Sequence, residues 1–300
     1  MNDQATVLRG MIEQQSQAIK PAIPAQAKRA KTLAVTSGKG GVGKTNIALN
    51  LSLALAEQNS RVCLLDANLG LGNIDLLCGL NGYWNLSHVL TGARTLKQIM
   101  LNGPNDINVI PGVSDLTDLS KCPEQACQDI LEQLEELEYN HDFVIIDTGS
   151  GIQQGVRPFL HAAEVILLVT TPEPTSLADT YATIKSLIHN QENELLVLVN
   201  QTLDNKQGRA VIERLRHTAK MFVQQSIGSA GSIPHDVKLM HAVAHRQPLL
   251  LHSPNSPAAI AIKQLAERLN NITELPDQQA GFFSRFWKST QSQSCPPTEK

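Results

Sequence analysis

No stretch of this 300-residue chain approaches the ~18 consecutive apolar residues that argue for a membrane-spanning helix. The opening residues, MNDQATVLRG, lack the apolar core of a signal peptide. These absences imply a soluble protein of the cytoplasm. Cysteine is scarce, at Cys63, Cys78, Cys122, Cys127 and Cys295. The number is odd and no C-x-x-C pair occurs, so neither a disulfide framework nor a zinc knuckle is indicated. Charge is sparse as well: 18% of residues, with a formal net charge of −3, give no global attraction for nucleic acid, although a local basic patch is compatible with them. No internal repeat, Ser/His/Asp arrangement or metal-ligand cluster marks a second active site. The nine histidines are scattered, and His235, His241 and His245 read as surface residues. Apolar residues, at 42%, do suffice for a sizeable core, in one large α/β domain or two small ones.

Residues 1–19 carry Ala5, Leu8, Met11 and Ile12 at helical spacing, and a Pro/Ala/Lys stretch over 20–31 reads as a linker. From Thr32 the chain alternates between strand-like runs and helical patterns. The expected strands are LAVTS (33–37), RVCLLDA (61–67), INVIPG (107–112), DFVIIDTG (142–149), EVILLVTT (164–171) and ELLVLVNQ (194–201). Helical patterns lie between most of them, for example over 46–58 and 126–137, and a last core helix is expected from about Ala258 to Ile272. Near-continuous Val/Ile/Leu strands separated by helices imply an α/β fold whose mostly parallel, twisted sheet carries helices on both faces. In such sheets ligands bind beyond the carboxyl ends of the strands.

That is where SGKGGVGKT (37–45) falls. Gly38, Gly43, Lys44 and Thr45 satisfy G-x-x-x-x-G-K-[ST], and the motif follows a strand and opens a helix, which is the context that gives it meaning. Glycines let backbone N–H groups curl around phosphate oxygens, and the helix N-terminus adds the positive end of its dipole. Lys44 reaches toward the β- and γ-phosphates, and the Thr45 hydroxyl suits Mg²⁺. Asp147 ends the strand of VIIDTGSG, where an acid can face the metal; a mere strand-end cap would look the same. The amide of Asn200 suits an adenine edge, as it would suit a turn.

Lys39, which follows the first loop glycine, makes the motif K-G-G-V-G-K-T. It resembles the "deviant" Walker A of the MinD/ParA ATPases, and the likeness extends over roughly residues 32–270. It includes DANLGLGNID (66–75), VIIDTGSGI, TTPEPTSLADTYATIK (170–185), VNQ (199–201) and GSIPHDVKLMHAV (231–243). Within the family these segments look like the branch that regulates flagellar number and placement. The resemblance implies a P-loop ATPase domain over 32–275 that binds ATP and Mg²⁺ and sandwiches the nucleotide between two chains. In that arrangement Lys39 reaches the partner's phosphates. Gly38, Gly40, Gly41, Val42, Gly43, Lys44, Thr45, Asn46, Asn200 and Pro234 are carried over as nucleotide-binding, and Thr45, Asp66 and Asp147 as metal-facing.

Family relatives begin the first switch with D-x-D, whose second acid orients the attacking water. Asp66 matches the first acid, but Asn68 stands where the second belongs. An amide accepts a hydrogen bond but takes no proton, and general-base help is typically worth ~10²–10⁴-fold. Some GTPases position their water with a neutral glutamine, so Asn68 implies slow hydrolysis rather than none. A neutral loop residue is the plain alternative.

Both termini agree with the flagellar branch. Asp3, Gln4 and Ala5, then Leu8 and Arg9, resemble an element that binds and stimulates FlhF, a signal-recognition-type GTPase. Near the other end stands GFFSRFWKS, within an expected amphipathic segment over 276–289, followed by a disordered tail over 290–300. On a helix Phe282, Phe283, Phe286 and Trp287 fall within an arc of about 140°, with Arg285 and Lys288 opposite. That pattern suits the inner face of an anionic membrane, and packing on the protein's own core is the alternative. The implied partners are thus a second copy of the chain, an FlhF-type GTPase, flagellar switch-complex proteins and the membrane surface, with nucleic acid disfavoured. A MinD-type division regulator and a nucleotide-held adaptor with negligible turnover are the competing readings.

Overall fold

The computed structural model describes residues 28–68, 74–112, 124–151, 155–187, 193–223, 226–271 and 280–293. The chain enters through β1 (Lys31–Ser37), α1 (Lys44–Ala56) and β2 (Val62–Ala67). Three short helices follow, α2 (Ile74–Leu77), α3 (Leu86–Leu90) and α4 (Leu96–Ile99), then β3 (Leu101–Asn102) and β4 (Asn108–Ile110). Next come α5 (Glu124–Asn140), β5 (Phe143–Ser150), α6 (Arg157–Ala162), β6 (Val165–Thr170) and α7 (Pro174–Leu187). The last part holds β7 (Glu194–Thr202), α8 (Asn205–Val223), β8 (Gly228–Pro234), α9 (Val237–Ala244), α10 (Leu249–His252), α11 (Pro257–Asn270) and α12 (Phe282–Gln293).

The strands form one eight-stranded sheet in the order β3-β4-β2-β5-β1-β6-β7-β8, parallel throughout except for the antiparallel β3–β4 edge. Successive side chains of a strand point to opposite faces, so each strand feeds two cores. Leu33 and Val35 of β1 pack with α1 and α11, while Ala34 faces the layer of α5, α6, α7 and α8. Because both faces are covered, the strands read as apolar runs without alternation, and six were legible for that reason. Strands β3 and β8 were not. The former has two residues, and the latter, GSAGSIP, is Gly/Ser-rich and breaks register against β7.

Helix α1 is buried along its length, from Ile47 through Leu55, between the sheet and α11. A helix that is apolar all round belongs inside a domain. Helix α11 is amphipathic, ends at Asn270 and is capped at its start by the Ser256 hydroxyl, which accepts the N–H of Ala259.

The C-terminal aromatics lie in the core. Phe282, Phe283 and Phe286 are at most 5% exposed, and the Phe286 ring centroid sits 4.5 Å from that of Phe159. Helix α12 rests on α5 and α6. Its first turn is held by Glu138, a buried carboxylate that accepts the N–H of Phe283 at 2.9 Å. Burial pushes the Glu138 pKa up, while the Phe283 and Phe282 N–H groups oppose the rise. The helix extends to Gln293, so the tail expected from residue 290 begins inside a helix. The N-terminal element with Asp3, Gln4, Ala5, Leu8 and Arg9 lies outside the described residues.

Close approach fixes the phosphate loop to this frame. A Cβ on Gly38 would stand 2.3 Å from the Asp179 carbonyl carbon in α7, which no backbone shift of a few tenths of an ångström relieves. We expect Gly38→Ala to cost about 1–3 kcal/mol of stability. A lowered thermal midpoint with weaker nucleotide affinity would bear this out, and an unchanged midpoint would show that α7 yields freely.

Candidate nucleotide-binding and active site

The loop between β1 and α1 has the backbone that its glycines permit. Gly41 and Gly43 adopt φ of 78° and 96°, in the left-handed region. Gly43 is the N-cap of α1 and supplies no side chain to its first N–H groups, which leaves them for an anion. Gly40 and Gly41 are exposed at the rim, and Val42 is buried beneath it. Ser37 donates its hydroxyl to the Lys39 carbonyl at 2.6 Å and its own carbonyl accepts Gly151 N–H at 2.8 Å, tying the loop to the end of β5.

Asn200 braces the loop from below. Its side chain is buried, and Nδ2 donates to the Val42 carbonyl at 2.8 Å. A Cβ on Gly43 would meet that same Nδ2 at 2.6 Å, so the loop can lie this low only with glycine there. This bracing role was not visible in the sequence, where the amide suggested a base edge or a turn. Pro234 pairs with Thr202 at the carboxyl end of β8, on the same rim. Asn46 lies in the first turn of α1, and its carbonyl accepts Asn50 Nδ2 at 2.7 Å.

Two carboxylates meet beneath the loop. Asp66 of β2 and Asp147 of β5 are register partners on neighbouring parallel strands, a spacing of roughly 4.8 Å. Asp66 is held by backbone: Oδ1 accepts Asn68 N–H at 3.1 Å and Oδ2 accepts Ile74 N–H at 3.4 Å. Asp147 is fully buried, and neither of its carboxylate oxygens has a hydrogen-bond partner. Burial, with a further push from Asp66, raises its pKa to about 7 against the Thr45 hydroxyl and the Lys44 ammonium, which pull it down. Lys44 is itself buried, which lowers its pKa while Asp147 raises it.

An orphaned buried carboxylate beside a threonine hydroxyl and a second acid is an all-oxygen set that fits a hard, hydrated cation such as Mg²⁺. Among the described residues no cluster of three or more His, Cys, Asp or Glu could hold a metal alone. A cation at Thr45, Asp66 and Asp147 therefore relies on phosphate oxygens and waters for its remaining ligands.

Asn68 is brought to the same place. It is half-buried at the end of β2, and its Oδ1 would stand 3.4 Å from a Cβ on Gly149, two residues beyond Asp147. Residues 69–73 and 152–154, the rest of both switch segments, lie outside the described residues.

Lys39 points elsewhere. Its Nζ is 3.0 Å from Glu173 Oε2 and 3.1 Å from Thr175 Oγ1, at the start of α7. Both side chains of this ion pair are substantially exposed, which makes it worth about 0–1 kcal/mol. The site residues thus divide: Gly38, Val42, Gly43, Lys44, Thr45, Asp66, Asn68, Asp147 and Asn200 converge, whereas Lys39 is turned away from the acids. Glu173 and Thr175 stand inside a segment legible as a motif, but its link to Lys39 depends on where α7 starts.

Comparisons with known proteins agree with this geometry. A ParA family model, described as a NUBPL iron-transfer P-loop NTPase, matches residues 28–270. The chain is similar to the antiactivator FleN of Pseudomonas aeruginosa, with 34% identity over 259 residues, covering 85% of this chain and 91% of that protein. Similarity to the flagellum site-determining protein YlxH of Helicobacter pylori is 33% over 265 residues, covering 86% and 90%. Among solved structures, the septum site-determining protein MinD of Pyrococcus horikoshii, complexed with Mg-ADP, superposes with a TM-score of 0.66 at 25% identity, over 81% of this chain and 96% of that one.

Asp147 offers a test through pH. Its folded pKa of about 7 exceeds its ordinary value of 3.8, so the folded chain keeps a proton that the unfolded chain gives up between those values. That stabilisation is complete below the ordinary value and is lost as pH rises through the folded one. Without nucleotide, the thermal midpoint of wild type relative to Asp147→Asn should fall between about pH 5 and about pH 8. A constant difference across that range would refute the raised pKa.

Proposed function

The chain belongs to the ParA family of P-loop NTPases and is an ATPase, and on that footing we propose that it is an ATP-dependent dimerising switch that sets flagellar number and placement. The observation that carries the reading is the placement of Lys39. Held only by a weak exposed pair with Glu173, the lysine is available to the nucleotide of a second chain. Similarity to FleN and YlxH supports the flagellar assignment and membership of the FlhG (FleN) branch of the family. An iron-carrier role is disfavoured. No C-x-x-C exists, and burial pushes the Cys63 and Cys78 thiols up to about 12, away from the thiolate that a metal needs.

In the proposed cycle the loop N–H groups and Lys44 hold the phosphates, and Thr45, Asp66 and Asp147 hold Mg²⁺. Mg²⁺ held there would supply positive charge to offset the charge that develops on the phosphates. Lys39 of each chain leaves Glu173 and completes the partner's site. Asn68 accepts a hydrogen bond from water and orients it without taking its proton, so turnover is slow and the dimer long-lived. The adaptor reading, with negligible turnover, rests on the same residue. Residues 1–19, as the FlhF-binding element, and the flagellar switch-complex proteins complete the proposed set of partners.

Membrane binding enters through α12. Burying a phenylalanine is worth about 1.5–3 kcal/mol whether the cover is protein or acyl chain, so a membrane can replace the cover on α12, while the surface uncovered on α5 and α6 favours the docked helix. A nucleotide-driven dimer, presenting two such helices at once, can tip that balance through avidity.

Hydrolysis and dimerisation measured together, with Mg²⁺ and anionic liposomes, test the core of the reading. Lys39→Ala should remain monomeric with ATP. Asn68→Asp should turn over about 10-fold faster or more than wild type. Equal, brisk turnover in wild type and Asn68→Asp would remove the brake from the proposal, whereas ATP-driven dimers inert in both would favour the adaptor. For the membrane step, Glu138→Ala removes the hold on the first turn of α12. It should bind anionic vesicles without ATP, while wild type requires ATP; continued ATP dependence in the variant would count against the latch.

A further inference from the structure

Helix α8 carries Lys206, Arg209, Arg214, Arg216 and Lys220 against a single acid, Glu213, in a chain whose net charge is −3. Among the described residues only Arg216 is engaged, at 3.2 Å from Glu213 and 3.0 Å from the Ile227 carbonyl. At 100° per residue, Lys206, Arg209, Arg214, His217, Lys220 and Met221 share an arc of about 140°. The buried residues Val211, Ile212, Leu215 and Ala219 occupy an arc of about 100° opposite. The outward face is therefore a cationic stripe running about 21 Å, from Lys206 to Lys220.

Its C-terminal turn is apolar and uncovered. Phe222 is 70% exposed and Met221 61%, and the only ring near Phe222 among the described residues is that of Tyr181, edge-on at 6.5 Å. Met221 lies inside the cationic arc, whereas Phe222 falls about 80° beyond its edge, on the flank toward Tyr181 of α7. A cationic face that carries an exposed thioether chain suits an anionic interface that the apolar chain can enter. The stripe is too long for one small anion. It also belongs to the helical layer that contains α12, on the same side of the sheet, because residues of α8 and α12 share one core cluster.

We propose that the outer face of α8 is a second membrane contact, an electrostatic one for anionic phospholipid headgroups, with Met221 entering the interface. This deepens the membrane reading above and rests on it. The two helices would act in parallel, α12 by apolar insertion and α8 by charge. Each surface-bound Lys or Arg is worth about 1 kcal/mol, or roughly fivefold in affinity. Nucleic acid is the competing polyanion, and it gives no role to Met221.

The test uses full-length protein with ATP and Mg²⁺ on phosphatidylcholine vesicles with or without phosphatidylglycerol. The variants are the triple Arg209→Glu/Arg214→Glu/Lys220→Glu, the single Met221→Ser, and Trp287→Glu as the α12 control. Circular dichroism and ATP-driven dimerisation confirm that each is folded. Affinity for phosphatidylglycerol vesicles should fall about 100-fold or more in the triple variant and several-fold in Met221→Ser, with the wild-type advantage shrinking as salt rises. An affinity within twofold of wild type, or an equal loss on pure phosphatidylcholine, overturns the proposal while leaving α12 intact as an anchor if Trp287→Glu still fails to bind. Wild type that binds duplex DNA through these residues and ignores vesicles assigns the stripe to nucleic acid instead. Wild type that binds no vesicle in any nucleotide state defeats the membrane reading itself.

Discussion

The depth at which the phosphate loop sits in the carboxyl edge of the sheet decides most of what this molecule can do. Two contacts set it, and both depend on a missing side chain: Gly38 against the α7 backbone at Asp179, and Gly43 against the Asn200 amide. With the loop this low, Lys44 is buried over Asp147 and the first N–H groups of α1 face the space where phosphate lies. Lys44 and Asp147 feel each other's charge there, each favouring the charged form of the other.

Several groups are held in arrangements that a ligand or partner could replace. Asp147 is buried with both oxygens unsatisfied, a cost that cation and water can remove. Lys39 rests on an exposed pair of small worth. Helix α12 buries three phenylalanines against α5 and α6, and another apolar surface could cover them equally well. None of these is a strong trap. Alternatives close in free energy are what a switch needs, since a ligand shifts an equilibrium only by its differential affinity for the two states.

The α8 stripe differs in kind, because among the described residues it has no internal partner to exchange. Its charges are paid for by nothing within the fold, and the helix packs through the four apolar residues on its inner face. Such a surface adds nothing to stability and is free to serve recognition.

The residues alone determined the parallel α/β sheet, the loop Gly38–Thr45, and the acids Asp66 and Asp147. Apolar runs, glycine spacing and strand-end acids are local signals, and each states its own chemistry. Asn68 was legible as a departure for the same reason. Tertiary structure alone decided the rest. Strand β8 hides in Gly and Ser because its place at the edge demands little apolar bulk, and β3 is only a two-residue pairing. The hydrogen bond from Asn200 to Val42 spans 158 residues, the Lys39 contact with Glu173 spans 134, and the hold of Glu138 on α12 spans 145; no local pattern encodes such pairs. Whether the FFSRFW aromatics face lipid or core was likewise beyond the sequence, since an amphipathic helix specifies an apolar partner without naming it. The groove between α5 and α6 made that choice here, because it is the apolar surface within the helix's reach.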